Sequence, residues 1–314
     1  MKPRSQLIIA VSVISITLLL AKIFSSNIVS DFNSEAKVAS ATVDTGTTQT
    51  IVQEETKKDV RKIPVRKMDV LDPQVDAESI LVESLNSDFP LFNYNTEKQW
   101  PIASLTKLMT AIVITEEYGL NKKIPISKTA VSVEGIAGEL KSGESYSSED
   151  LMKIMLMVSS NRAATAFEEY AGGRDLFSAM QNKKALELEM THTTFFDGSG
   201  LSEKNISTTG DLLKLAKYLI EKHPEIIDWT RLQTIRVQPV NTSVSRDVRN
   251  INDFAAQTRF LGGKTGISPE ARENLLALFS FNNDRIIYII LGTHNRITQT
   301  DKILDWINQA YIFN

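Results

Sequence analysis

The chain has 314 residues, 42% of them hydrophobic, and a formal net charge of -3. That is enough for one large or two ordinary cores, with no charge excess to draw nucleic acid. It contains no cysteine and only three histidines, which excludes disulfides, thiolate chemistry and a histidine-rich metal centre.

The N-terminus begins MKPR, continues without a charge over residues 7–21, and then places Lys22 before Ile23 and Phe24. The apolar run is long for a signal-peptide core and slightly short for a full span unless Lys22 snorkels. The nearest small-x-small site, Ala39-Ser40-Ala41, lies well downstream. Residues 1–24 therefore read as an uncleaved membrane anchor with the positive end inside and the rest exported; a cleaved signal peptide is the alternative. Residues 25–68 are rich in Ser, Thr, Val and acidic side chains without sustained period, the pattern of a flexible extracytoplasmic linker. Its r.m.s. reach would be about 40 Å. The basic run at 57–67 reads as the solvated end of that linker.

A globular domain is expected over 69–314. SILVES and PLFNYN, joined by a short turn, read as two strands. A helical block follows from Ser104 to about Ala171. Within it SSEDLMKIMLMV opens on a capping pattern, Ser147 with Asp150 three residues on. GRDLFSAMQNKKALEL and STTGDLLKLAKYLIEKH read as amphipathic helices, the second capped by Ser207 or Thr208. TIRVQPV, FLGGKTG, NLLALFSF and RIIYIILG read as strands, and TQTDKILDWINQAYIF as a closing helix. Strands at both ends with helices between predict an α/β (α+β) architecture, an antiparallel sheet built from both chain ends and flanked by a helical subdomain.

The candidate chemistry starts in PIASLTKLMTAIVITEE, an apolar helix that nevertheless carries Lys107. A lysine in a buried helix is costly. Ser104 lies three residues before it, so hydroxyl and amine share a face. Pro101 places Ser104 near the helix N-terminus, where free N–H groups favour developing negative charge. A desolvated lysine has a lowered pKa and can take the serine proton. Ser159-Ser160-Asn161 stands at the end of another apolar helix, and Lys264-Thr265-Gly266 on a strand. A second cation at Lys264 is expected to keep Lys107 neutral and to attract a carboxylate. Thr265 offers the carboxylate a hydroxyl, and Gly266 is expected to let a substrate backbone approach the strand edge. DGSGL, residues 197–201, reads as a glycine-rich turn, and His192 and His294 as loop histidines.

With S-x-x-K, S-x-N and K-T-G in this order, and with LKSGE and TTFFDGSGL…STTGDL between them, the chain resembles the low-molecular-mass penicillin-binding proteins, the serine D-alanyl-D-alanine carboxypeptidases. The likeness covers roughly residues 71–314. It implies a β-lactamase/DD-peptidase-like fold and no metal or organic cofactor. Peptidoglycan stem peptides and β-lactam antibiotics are the partners it implies. By the same resemblance Ser104 is the nucleophile, Lys107 its base, and Ser159 a proton relay to the leaving group. Asn161 would orient Lys107 and the substrate amide, while Lys264 and Thr265 bind the terminal carboxylate. The backbone N–H groups of Ser104 and Ile267 would form the oxyanion hole.

Two features depart from that pattern. Arg162 follows Asn161 where relatives often carry Asp-Ala, and is expected either to alter the cleft rim or to pair with Glu168 or Glu169. The segment after Gly266 lacks the small residues common in relatives. A class A β-lactamase would need a deacylating E-x-x-x-N, and Glu168, Glu187, Glu189 and Glu203 all lack the asparagine. A carboxypeptidase is the expected activity, a DD-endopeptidase with the same site the first alternative. A β-lactamase or a non-catalytic wall-binding protein ranks below both.

Overall fold

The computed structural model of the chain describes residues 63–135 and 137–313. The expected anchor, residues 1–24, and most of the expected linker lie outside the described residues. The end of that linker needs correcting. Strand β1 (Val65–Arg66) pairs antiparallel with β13 (Tyr311–Ile312), the last strand described. Arg66 donates to the carbonyls of Lys67, Val70 and Ala310. Its guanidinium also lies 4.9 Å from the centre of the Trp306 ring and 5.6 Å from that of Tyr311. A cation held over two aromatic rings is fixed rather than solvated, so the catalytic unit begins by residue 65 and not at 69.

Five strands form the main sheet: β2 (Ser79–Ser84), β3 (Pro90–Tyr94), β10 (Phe260–Ser268), β11 (Arg272–Phe281) and β12 (Asp284–Thr293). Their order is β10-β11-β12-β2-β3, every pairing antiparallel. The strands from the two ends of the chain meet at β12 and β2, as expected. Side chains alternate across a strand, and here both faces are covered. On β12, Ile287, Ile289 and Leu291 enter one core, while Ile286, Tyr288 and Ile290 enter the other. Burial on both sides is why NLLALFSF and RIIYIILG read as continuous apolar runs. The second core is closed by helix α8 (Arg296–Ala310) through Ile303, Leu304 and Ile307. The closing helix was expected to run to Phe313. It stops at Ala310 because Tyr311 turns into β13 and donates its hydroxyl to the Leu91 carbonyl.

The first core is helical. Helix α1 (Thr106–Glu117) is buried at every position from Thr106 to Ile114, as an apolar all-round helix must be. Around it pack α2 (Lys128–Ser132), α3 (Ser148–Met157), α4 (Asn161–Tyr170), α5 (Arg174–Glu187), α6 (Thr209–Lys222) and α7 (Pro224–Arg231). Their starts follow the side chains. Ser147 accepts the Asp150 N–H, Ser160 that of Ala163, and Thr208, not Ser207, that of Asp211. Five short strands escaped the sequence reading: β4 (Trp100–Pro101) and its partner β7 (Ile206–Ser207), the pair β5 (Lys123–Pro125) and β6 (Ser145–Ser147), and β9 (Arg246–Arg249), which pairs with the expected strand β8 (Thr234–Val237). At two to four residues each, these strands are too short to show a period.

Candidate active site

Ser104 sits on a 3₁₀ turn, Ala103–Leu105, that leads into α1. The sequence placed it on the helix itself; the turn keeps the three-residue spacing. Ala103 just before it is left-handed, φ 46°, a conformation that costs a residue with a Cβ and persists only where the surroundings enforce it.

Lys107 has no exposed surface. Its Nζ lies 3.0 Å from Ser104 Oγ, 2.8 Å from Asn161 Oδ1 and 2.5 Å from the Ser199 carbonyl. Burial brings its pKa from 10.5 down to about 7, against the pull of Asp197 and Glu168. In the neutral amine two N–H bonds remain, and the two fixed oxygens of Asn161 and Ser199 take them. The lone pair then faces Ser104 Oγ, the arrangement in which a serine proton can be removed.

A second buried lysine stands nearby. Lys264 on β10 donates to Ser159 Oγ at 3.0 Å and to the Thr265 carbonyl at 2.8 Å. Burial holds its ammonium well below the usual lysine range, and repulsion from Lys107 and Arg296 adds to this. Desolvation is the largest cause that neutralises Lys107, and the repulsion between the two buried lysines is felt at Lys264. Ser159 is also left-handed, φ 56°, so one strained residue precedes Ser104 and another contacts Lys264.

Gly266 also packs against the serine turn. A Cβ there would sit 2.8 Å from the Ile102 carbonyl and 3.3 Å from Ser104 N. The missing side chain lets β10 close onto the turn that carries the serine. Ile267, next along β10, leaves its side chain 67% exposed, in keeping with a role confined to its backbone. Thr265 is nearly buried beside Lys264.

The sequence missed what holds this cluster from behind. DGSGL is no plain turn. Asp197 accepts five hydrogen bonds, from the Ser199 N–H and hydroxyl, the Gly200 and Ser202 N–H groups and the Asn205 amide. The loop so fixed presents the Ser199 carbonyl to Lys107. Gly200 lies so close that a Cβ would come within 2.0 Å of the Ala103 carbonyl. Glu168, rejected as a deacylating glutamate on its spacing, also belongs here: its Oε1 accepts the Gly198 N–H. Consecutive residues of the S-x-N segment hold the front lip. Ser160 Oγ donates to the Ala137 carbonyl, Asn161 Nδ2 to Glu134 and Arg162 Nη1 to Leu140. Arg162 therefore ties down the lip and pairs with neither Glu168 nor Glu169. His192 pairs with Glu97 and His294 with Asp76, both at exposed positions.

Fold and geometry together define a class, an active-serine hydrolase whose candidate base is a lysine. Residues 66–295 match the peptidase S11 model, described as D-alanyl-D-alanine carboxypeptidase, and the chain belongs to that family. It is a serine peptidase of the penicillin-binding kind. Among curated relatives, a D-alanyl-D-alanine endopeptidase of Haemophilus influenzae is 34% identical over 210 residues, 64% of this chain and 69% of that protein. One of Pseudomonas aeruginosa is 27% identical over 77% of this chain and 80% of its own length. The D-alanyl-D-alanine carboxypeptidase DacF of Bacillus subtilis is 29% identical over 75% of this chain and 63% of its own length. Among solved structures, penicillin-binding protein D2 of Listeria monocytogenes, crystallised with cefotaxime, superposes with a TM-score of 0.64 at 28% identity. The alignment covers 76% of this chain and 99% of that one. A Mycobacterium tuberculosis D-alanyl-D-alanine carboxypeptidase shares the fold, with a TM-score of 0.71 at 23% identity over 80% of this chain and 99% of that one.

Proposed function

We propose that the chain removes the terminal D-alanine from peptidoglycan stem peptides through an ester on Ser104. The observation that carries this reading is the buried Lys107 amine 3.0 Å from Ser104 Oγ, its pKa lowered to about 7. Ser104 Oγ attacks the carbonyl carbon of the penultimate D-Ala while its proton passes to Lys107 Nζ. The backbone N–H groups of Ser104 and Ile267 receive the oxyanion. As the C–N bond breaks, Ser159 hands its proton to the departing amine and takes in exchange the one held by Lys107, which leaves Lys107 neutral. Asn161 orients Lys107 and the substrate amide. Lys264 and Thr265 take the terminal carboxylate, whose charge favours the protonated form of Lys264. Water then attacks the ester with Lys107 again as base, releasing the shortened peptide. β-Lactams, which present a strained amide to the same serine, would acylate it as well.

A second reading, a DD-endopeptidase that cuts cross-links, uses the same residues on a bulkier leaving group. The relatives named endopeptidases favour it. Fluorescent penicillin should label the wild type and not Ser104→Ala; absence of label on folded wild type would sink the enzyme reading. Mass spectrometry of products then separates the two activities. Free D-Ala from a pentapeptide supports the carboxypeptidase, and cleavage of a cross-linked dimer alone supports the endopeptidase. Residues 1–24 would hold the domain on the extracytoplasmic face of a bacterial envelope, or export it if cleaved. Membrane fractionation of the full chain against a chain lacking 1–24 decides this. Among the described residues no helix is long and apolar enough to cross a membrane.

A further inference from the structure

The residues behind Lys107 form a register. Ser104, Lys107 and Thr110 lie three apart on one face, and residues 200, 199 and 198 run past them in the opposite sense. Gly200 packs on the backbone at Ser104. The Ser199 carbonyl accepts from Lys107, and the Gly198 carbonyl accepts the Thr110 hydroxyl at 2.6 Å. Gln181 Nε2 donates to that hydroxyl from α5. On its N-terminal side Gly198 donates its N–H, that of the Asp197–Gly198 peptide, to Glu168. A Cβ at Gly198 would come within 2.7 Å of the Phe177 ring, so this peptide has no room to shift.

We propose that Glu168 is a positioning residue for serine activation: it holds the N–H of Gly198 in the loop whose next carbonyl but one, that of Ser199, holds Lys107, and its charge sets the pH at which Lys107 becomes a base. This rests on the reading that Lys107 deprotonates Ser104. Glu168 is 6% exposed and borders, with Asp197, Ser199 and Arg174, an open cavity of about 300 Å³, through which it can exchange a proton. Burial, and then repulsion by Asp197 and Glu169, raise its pKa, while the Gly198 N–H and Arg174 oppose the rise. The groups facing Lys107 are Asp197 from the loop, Glu168 from α4 and Lys264 from β10; the two carboxylates raise its pKa. Removing the Glu168 charge must therefore lower the pKa of Lys107.

Glu168→Gln keeps the shape and the oxygen that accepts the Gly198 N–H. Thr110→Val removes the opposite clamp without touching any charge. The readout is the second-order rate of acylation by a chromogenic β-lactam as a function of pH, with Ser104→Ala as the blank. For Glu168→Gln the acid limb should move to lower pH by at least about 0.5 unit. Thr110→Val should lower the rate about tenfold or more with the limb unmoved. An unmoved limb in Glu168→Gln overturns the charge role. A Thr110→Val rate within twofold of wild type overturns the positioning role, and stands as a test even if Glu168→Gln does not fold. If wild type fails to acylate, it is the parent reading that fails, a different result from either.

Discussion

A lysine without exposed surface must give up its charge or be paired, and Lys107 gives up its charge. The fall from 10.5 to about 7, at about 1.4 kcal/mol per pH unit, means that a protonated Lys107 costs the fold about 5 kcal/mol. The folded pKa lies below the unfolded one, so this cost is full below pH 7, declines between 7 and 10.5, and vanishes above. Lys107→Met should therefore be more stable than wild type near neutral pH. The margin should shrink as pH rises toward 10, read by urea unfolding at several pH values. Both Lys107→Ala and Lys107→Arg should lose acylation by about a thousandfold or more; the arginine fails because a guanidinium stays charged. A Lys107→Ala acylation rate within tenfold of wild type would refute the base. The misfit of a lysine in an apolar helix was visible in the sequence, as were Ser159, Asn161 and Lys264. Asp197, Ser199 and Glu168 were not, since they act through backbone groups that no side-chain pattern announces. The one trace was the third step of Ser104-x-x-Lys107-x-x-Thr110, a hydroxyl on the catalytic stripe of a helix that otherwise reads as apolar.

The site is assembled where four elements touch: the 3₁₀ turn before α1, the S-x-N segment at the start of α4, the loop at 197–200 and strand β10. Glycine allows both approaches. Gly266→Ala would drive a Cβ into the Ile102 carbonyl, a backbone atom that cannot swing aside. It should cost about 1–3 kcal/mol of stability and about tenfold or more in acylation. Gly200→Ala adds a left-handed φ of 81° to a 2.0 Å overlap with the Ala103 carbonyl, and should lose about 3–5 kcal/mol or fail to fold. Thermal unfolding beside penicillin labelling checks both. Helix positions followed from periodicity and caps, and the long strands from their apolar runs. The two-residue strands did not, because pairing across 100 or more residues leaves no local signature.

At the scale of the whole molecule, the first and last of the described residues meet twice, once where β2 joins β12 and again where β1 joins β13. Arg66→Ala removes a guanidinium over two rings and should cost about 1–2 kcal/mol in unfolding free energy while leaving acylation unchanged; reduced acylation would mean that the junction also supports the cleft. Fold class and chemistry were legible from three short motifs, whereas the domain's first residue was not, because a basic run looks solvated until its aromatic partners arrive from the far end of the chain. The central claim, a neutral Lys107 activating Ser104, is tested most directly by peptide mapping of the penicilloyl adduct together with its rate of formation from about pH 5 to pH 9. The adduct should lie on the peptide that bears Ser104, with a rate that climbs through pH about 7. An adduct on another residue, or a rate indifferent to pH across that range, would contradict it.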